Sequence, residues 1–119
     1  MGQFTVQMTV AHPADPSRSA QVDLFVDTGA TLSWLPKELL ERLEVPRVGR
    51  RTFLIADGRK IERETGGVVL RYDGTQANVT VVFAEQGDSY LLGATSLETL
   101  GFGVDPINLR LIPQTLLAL

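Results

Sequence analysis

In residues 24–36, LFVDTGATLSWLP, an apolar run stops at Asp27, passes through Thr28 and Gly29, and resumes beyond Ala30 and Thr31. Such a stretch is either a surface turn or a carboxylate set into the floor of a cleft, and only the second does chemistry. Hydrolysis of a peptide bond by carboxylates needs a pair of them. One is ionised and takes a proton from water; the other is protonated and polarises the amide oxygen. Two such groups brought close share a proton, because ionising both in a low-dielectric floor is costly. Only Asp27 stands in a setting of this kind. Asp57 and Asp73 occupy Asp-Gly turns, Asp15 a proline-containing loop, Asp88 the position after Gly87, and Asp105 the position before Pro106. Aspartate forms turns in all of these places. The simplest source of the second carboxylate is a two-fold axis, which sets one Asp27 from each chain face to face. A homodimer with a single shared site is thus a requirement of the enzymatic reading.

Other chemistries have less to work with. Cysteine is absent, which excludes disulfides and thiolate nucleophiles, and His12 is the only histidine, so no imidazole cluster is available for zinc. A serine triad would need His12, which stands beside Pro13 in a polar loop. Neither a metal nor an organic cofactor is expected. The net charge of -3, with only the local basic group Arg47, Arg50 and Arg51, gives no electrostatic reason for nucleic-acid binding. No apolar run approaches membrane-spanning length. The opening MGQFTVQMTV lacks the basic start and apolar stretch of a signal peptide, so a cytoplasmic location is expected.

The elements that must position Asp27 follow from length and patterning. A chain of 119 residues, 44% hydrophobic and 21% charged, suits one compact domain over residues 1–119. Phe4, Val6, Met8 and Val10 alternate with polar residues, as do Val22, Leu24 and Val26, and the two runs predict a hairpin across HPADPSRS. After the Asp27 turn, Pro36 at a first helical position, with Leu35, Leu39 and Leu43, predicts a short helix over PKELLERL. Asp57-Gly58 and Asp73-Gly74, each between strand-like arms, predict two further hairpins. The first, about residues 52–64, is the more polar and is expected to project from the body. Gly66-Gly67 reads as a flexible or tightly bent entry to the next strand. Tyr90 to Leu92 predicts a short strand. Thr95 and Glu98 form a capping box for a helix ended by Gly101, and Leu109 and Leu111 a late strand. The apolar TLLAL at the end is expected to pack on the body or on a partner.

Asp27-Thr28-Gly29-Ala30, then a hairpin about Ala56-Asp57-Gly58-Arg59, then Leu91-Leu92-Gly93 before a helix, come in the order found in the retroviral-like, single-domain aspartic proteases. The chain resembles that retropepsin-like family over roughly residues 3 to 112. The resemblance implies an all-β fold, a closed acid-protease-like barrel with two short helices and one lobe per chain. It also implies an aspartic endopeptidase that acts as a homodimer on a peptide or protein substrate, with Asp27 as the catalytic residue. Thr28, Gly29 and Ala30 would support it, and Ala56, Asp57, Gly58 and Arg59 would form the tip of a flap over the substrate.

Each supporting residue also has a plain structural explanation. Gly29 lets its N–H approach a carboxylate oxygen without a Cβ in the way. Thr28 would brace the two turns across the dimer axis, as in the resembled family, or simply satisfy a nearby backbone group. Gly93 either lets the late strand cross closely behind Asp27 or is the turn before a helix. Trp34 either walls a subsite or packs against the first helix. In the viral members an acid two residues after the motif glycine pairs with an arginine following the late glycine. Here those positions hold Thr31 and Ala94, so no buried charge is stranded. The flap tip, Asp57-Gly58-Arg59, looks more like that of the cellular and bacterial relatives. The rival to the enzyme is a non-catalytic peptide-binding or structural dimer on the same fold; a subunit of a larger assembly is a third possibility.

Overall fold

The structure, a computed structural model, describes residues 3–115. The expectation for the apolar C-terminal tail falls largely on residues 116–119 and lies outside the described residues.

Alternation sets the first hairpin. Strands β1 (Thr5–Ala11) and β2 (Ser19–Val26) pair antiparallel from Thr5↔Phe25 to Ala11↔Ser19, with Met8, Val10, Val22 and Leu24 buried. Beyond the Asp27 turn come β3 (Ser33–Pro36) and helix α1 (Lys37–Arg42). Pro36 caps the helix with an extended ψ of 126° rather than taking the first helical position, and Leu35 belongs to the strand. Leu39, Leu40 and Leu43 are buried, so the apolar stripe does face the body.

The two Asp-Gly hairpins form. β4 (Gly49–Leu54) pairs with the first part of β5 (Lys60–Tyr72), starting at Gly49↔Thr65 rather than at Thr52, and β5 then pairs with β6 (Thr75–Ala84). Asp73 and Gly74 take φ of 50° and 78°, the two left-handed positions of a tight hairpin turn. The Gly66-Gly67 pair is neither a bend nor an entry point, since β5 runs straight through it. Close packing explains the first glycine: a Cβ on Gly66 would lie 2.5 Å from the Pro46 carbonyl oxygen and 3.0 Å from the Phe83 ring.

The last elements are β7 (Leu91–Leu92), α2 (Ala94–Leu100), β8 (Phe102–Asp105) and β9 (Arg110–Pro113). Gly101 ends α2 at φ 82°, as predicted, but the capping box does not form. The cap is Gly93, and Thr95 lies inside the helix with its N–H donated to the Thr31 carbonyl at 3.1 Å. Leu109, at φ 52°, stays in the turn before β9. Asp105 organises that turn. Its carboxylate accepts from the Ile107 N–H at 3.0 Å, the Asn108 N–H at 3.1 Å and the Asn108 side-chain amide at 2.8 Å. These bonds, the Asn108 side chain first, pull the Asp105 pKa down to about 2. A depressed folded-state pKa contributes stability above the ordinary aspartate value near 4 and loses it as pH falls through the folded value. The amide resonances of Ile107 and Asn108 should therefore titrate with a midpoint of about 2. A midpoint near 4 would show an unconstrained carboxylate.

The closed barrel expected from the resemblance is not what forms. Six strands follow one another in a ring, β1-β2-β7-β3-β6-β5, and β1 meets β5 again through Thr9↔Arg71, Val10↔Leu70 and Ala11↔Val69. A barrel needs continuous, staggered ladders around its whole circumference. Here β7 has two residues and meets β3 through the single pair Trp34↔Leu91. β4 hangs outside the ring, and β8–β9 is a separate two-stranded sheet. The fold is mostly β with two short helices, and its ring is joined by short ladders.

Two apolar clusters fill it. The main one gathers Met8, Leu24, Leu35, Leu40, Leu70, Phe83 and Leu92 among others; a smaller one holds Leu32, Trp34, Val82 and Ala84, with Phe53, Ile61 and Leu91 against them. β6 serves both, because successive side chains point to opposite faces: Val81 and Phe83 enter the main cluster, Val82 and Ala84 the smaller. Each fully buried side chain of this size contributes about 1.5–3 kcal/mol relative to exposure. Among the described residues no helix is long and apolar enough to cross a membrane.

Candidate active site

Strand β2 carries the chain into the site and β7 fixes where it stops. β2 and β7 run parallel, with Phe25↔Leu91 and Val26↔Leu92 as partners, and the Asp27 N–H continues the ladder to the Leu92 carbonyl at 2.9 Å. The chain then turns. The Ala30 N–H donates to the Asp27 carbonyl at 3.2 Å, and the Gly29 N–H donates to Asp27 Oδ1 at 2.9 Å. A Cβ on Gly29 would stand 3.2 Å from that same oxygen, so the glycine permits the close approach. Asp27 is half-buried, while Thr28 and Gly29 are exposed, so the turn opens to solvent in the single chain.

The late Leu91-Leu92-Gly93 segment passes behind this turn. A Cβ on Gly93 would fall 2.5 Å from the Leu32 carbonyl oxygen and 2.8 Å from that of Ala30. The helix start is bound to the turn by backbone, with the Ala94 N–H to the Ala30 carbonyl at 2.8 Å and the Thr95 N–H to the Thr31 carbonyl. Thr31 and Ala94, at the positions that hold an acid and an arginine in the viral proteins, each take part in one of these two main-chain bonds.

Two residues essential to this geometry escaped the reading of the sequence. Ser33 and Ser96 are fully buried; their hydroxyls lie 2.6 Å apart, and Ser33 Oγ accepts the Gly93 N–H at 2.9 Å. A buried hydroxyl persists only with a partner, so the pair fixes the turn and α2 together. The available signal was weak: Ser33 stands inside the apolar run LSWL, whereas Ser96 lies among the polar residues of TSLETL.

The hairpin residues are not joined to the turn. Ala56, Asp57, Gly58 and Arg59 are exposed and make their own tip, with the Ile55 N–H on the Arg59 carbonyl at 3.0 Å and the Arg59 N–H on Asp57 Oδ1 at 2.9 Å. None of these bonds reaches residues 27–30. Trp34 packs neither on α1 nor in an open subsite; it is buried, edge-on to Phe53 of β4 at 5.0 Å between centroids. Asp88 is more than a turn former. Its carboxylate takes Arg63 of β5 in a two-pronged ion pair of 2.7 and 3.0 Å. Although burial pushes the Asp88 pKa up, the Arg63 guanidinium and the Glu85 N–H outweigh it and hold the value below the ordinary one.

Two of the three arginines of the basic group are likewise engaged. Arg47 bonds Glu41 and Glu64 and lies over the Phe83 ring at 4.5 Å, and Arg50 bonds Glu62. A hollow of about 390 Å³ between β1 and β5 is lined by Gln7, Thr9, Gln21 and Arg71 among others, and contains none of the Asp27 turn. Its polar, open walls converge on no reactive group, so the geometry of the turn is the better guide to chemistry.

Comparison with known proteins points the same way. No curated protein matches the chain. Among solved structures, "EIAV protease complexed with the inhibitor HBY-793" superposes with a TM-score of 0.62 at 20% identity, covering 84% of this chain and 89% of that one, which establishes a shared fold. A family model described as "gag-polyprotein putative aspartyl protease" matches residues 18–99, from the start of β2 through the Asp27 turn and both Asp-Gly hairpins into α2. The chain belongs to this retropepsin-like aspartyl protease family.

Proposed function

We propose that the protein is an aspartic endopeptidase whose site is completed by a second copy of the chain. The observation that carries this is the Asp27 turn: a half-buried carboxylate held by the Gly29 N–H, on a loop braced by α2, with its outer residues open to solvent. Face to face in a dimer, two such carboxylates hold one proton between them. The ionised one takes a proton from a bound water as it attacks the scissile carbonyl, and the protonated one gives its proton to the carbonyl oxygen. As the C–N bond breaks, the carboxyl that took the water's proton gives it to the leaving amine, and a hydroxyl of the tetrahedral intermediate returns its proton to the other carboxylate, which restores the singly protonated pair. Thr28 braces the turn, Gly29 and Ala30 shape it, and the tip at Ala56–Arg59 closes over an extended substrate that pairs with the hairpin like an added strand.

One domain over the whole chain suffices for this, with neither metal nor cofactor in the mechanism. The resemblance of the Asp57-Gly58-Arg59 tip to that of cellular and bacterial relatives, with Thr31 and Ala94 where viral members hold an acid and an arginine, favours a cellular or bacterial type. The reading places the enzyme in the cytoplasm, where a chain without cysteine has no disulfide to lose.

Mixed dimers test the shared site. After subunit exchange, a ninefold excess of Asp27→Asn chains should cut the cleavage rate of a fixed amount of wild-type protein to about one tenth, the statistical share of wild-type pairs in a two-fold dimer. An unchanged rate, with exchange verified by mass spectrometry, would mean that each chain works alone.

A further inference from the structure

Two contacts on one face of the β4–β5 hairpin tie it to the body. Cross-strand pairing puts Phe53 opposite Ile61 and Arg51 opposite Arg63, and alternation places all four on the same face. Phe53 and Ile61 pack on the smaller cluster, with the Trp34–Phe53 contact at its centre. Arg63 is held by Asp88, and their side chains are only 19% and 14% exposed, against 31% or more for at least one partner in every other ion pair among the described residues. Each guanidinium nitrogen of Arg63 donates, Nε and Nη2 to Asp88 and Nη1 to the Glu62 carbonyl. Asp88 is itself fixed by the Glu85 N–H at 2.8 Å.

Both contacts converge on the strand that positions Asp27. Trp34 pairs with Leu91, and Asp88 lies just before β7, whose Leu92 accepts the Asp27 N–H. Beyond the contacts the hairpin stands clear of the body: Leu54 is 71% exposed, and the tip bonds only to itself.

We propose that Arg63–Asp88 and Trp34–Phe53 form a two-point anchor that fixes the base of the hairpin relative to the Asp27 turn and leaves residues 54–60 free to close, making Asp88 and Trp34 positioning residues of the hydrolysis. The proposal rests on the protease reading. Charge explains why the first point is needed. Arg51 and Arg63 are directly opposed, an arrangement that pushes strands apart, and Asp88 neutralises one of them. Removing either partner of the pair leaves the other largely covered and unpaired.

Hydrogen exchange on the full chain tests the anchor without needing catalysis. Asp88→Asn and Arg63→Gln should each speed exchange of hairpin amides 50–63 by about tenfold while those of β1 and β2 keep their wild-type rates. The double variant should be no worse than the worse single, because both remove one interaction. Phe53→Ala should reproduce the effect through the other point, and Asp88→Glu should restore most of the protection. With a cleavable peptide, Asp88→Asn should raise KM by about threefold to tenfold with kcat within about twofold. Unchanged hairpin exchange, or a rise shared equally by β1 and β2, would overturn the proposal, as would a KM left at the wild-type value in an active enzyme. Should the wild-type protein cleave nothing, the protease reading fails, and the hairpin exchange still decides the anchor.

Discussion

Asp27→Asn should abolish peptide cleavage, by at least about a thousandfold, and leave the fold intact. The two halves of that result have separate physical grounds. The amide keeps the shape of the carboxylate, and its oxygen still accepts the Gly29 N–H that Asp27 Oδ1 accepts at 2.9 Å. The ladder through the Leu92 carbonyl uses the backbone of residue 27 and is indifferent to the side chain. What the amide cannot do is carry a proton to or from water and substrate. In a homodimer the change strikes both carboxylates at once, so no competent partner remains. A peptide-library digest read by mass spectrometry, beside thermal melts of both proteins, measures this directly. Residual cleavage of the same bonds would remove Asp27 from the chemistry. Loss of cleavage with full retention of peptide binding is the enzymatic outcome, whereas wild-type protein that binds peptides and never cuts them is the non-catalytic dimer.

Gly93→Ala should be the most damaging small substitution among the described residues. The added Cβ would lie 2.5 Å from the Leu32 carbonyl oxygen, 2.7 Å from its carbon and 2.8 Å from the Ala30 oxygen. All three are main-chain atoms, so no side chain can swing aside. Backbone conformation is not the obstacle, since φ −92° and ψ 175° suit any residue. Relief requires α2 to back away from the Asp27 loop, which breaks the Ala94 and Thr95 N–H bonds and disturbs the Ser33–Ser96 pair. A loss of about 2–4 kcal/mol is expected from such overpacking with broken buried bonds. It should appear as a melting temperature lower by roughly 10 °C and as a shift of the denaturation midpoint. Gly67→Ala is the control. Nothing lies within 4 Å of a Cβ there, so its stability should stay within about 0.5 kcal/mol of wild type. Equal behaviour of the two variants would mean that the crossing behind Asp27 is looser than described.

The sequence by itself determined the local events. The alternation of Met8 and Val10 against Val22 and Leu24 dictates which faces of the first hairpin are buried, because strand periodicity is a property of the backbone. Asp73-Gly74 dictates its turn, and Gly101 ends its helix, because each glycine sits where φ is positive. At Gly29 and Gly93 the reason is different: a Cβ would meet Asp27 Oδ1 at one and the Leu32 and Ala30 carbonyls at the other, and of the two readings the sequence left open for Gly93 the structure shows the close crossing behind Asp27. The tertiary structure decided everything that depends on which distant partner arrives. Thr95 looked like a cap until the Thr31 carbonyl claimed its N–H, and Gly66 looked like a bend until Pro46 and Phe83 closed on it. Trp34 found the hairpin instead of α1, and Asp88 found Arg63 across 25 positions. Ser33 and Ser96, 63 residues apart, carry no periodic signal at all. Whether the strands closed a barrel was settled by β7, whose two residues end where Gly93 must pass behind Asp27. Periodicity records which way a side chain points; what it meets depends on packing among segments far apart in the chain.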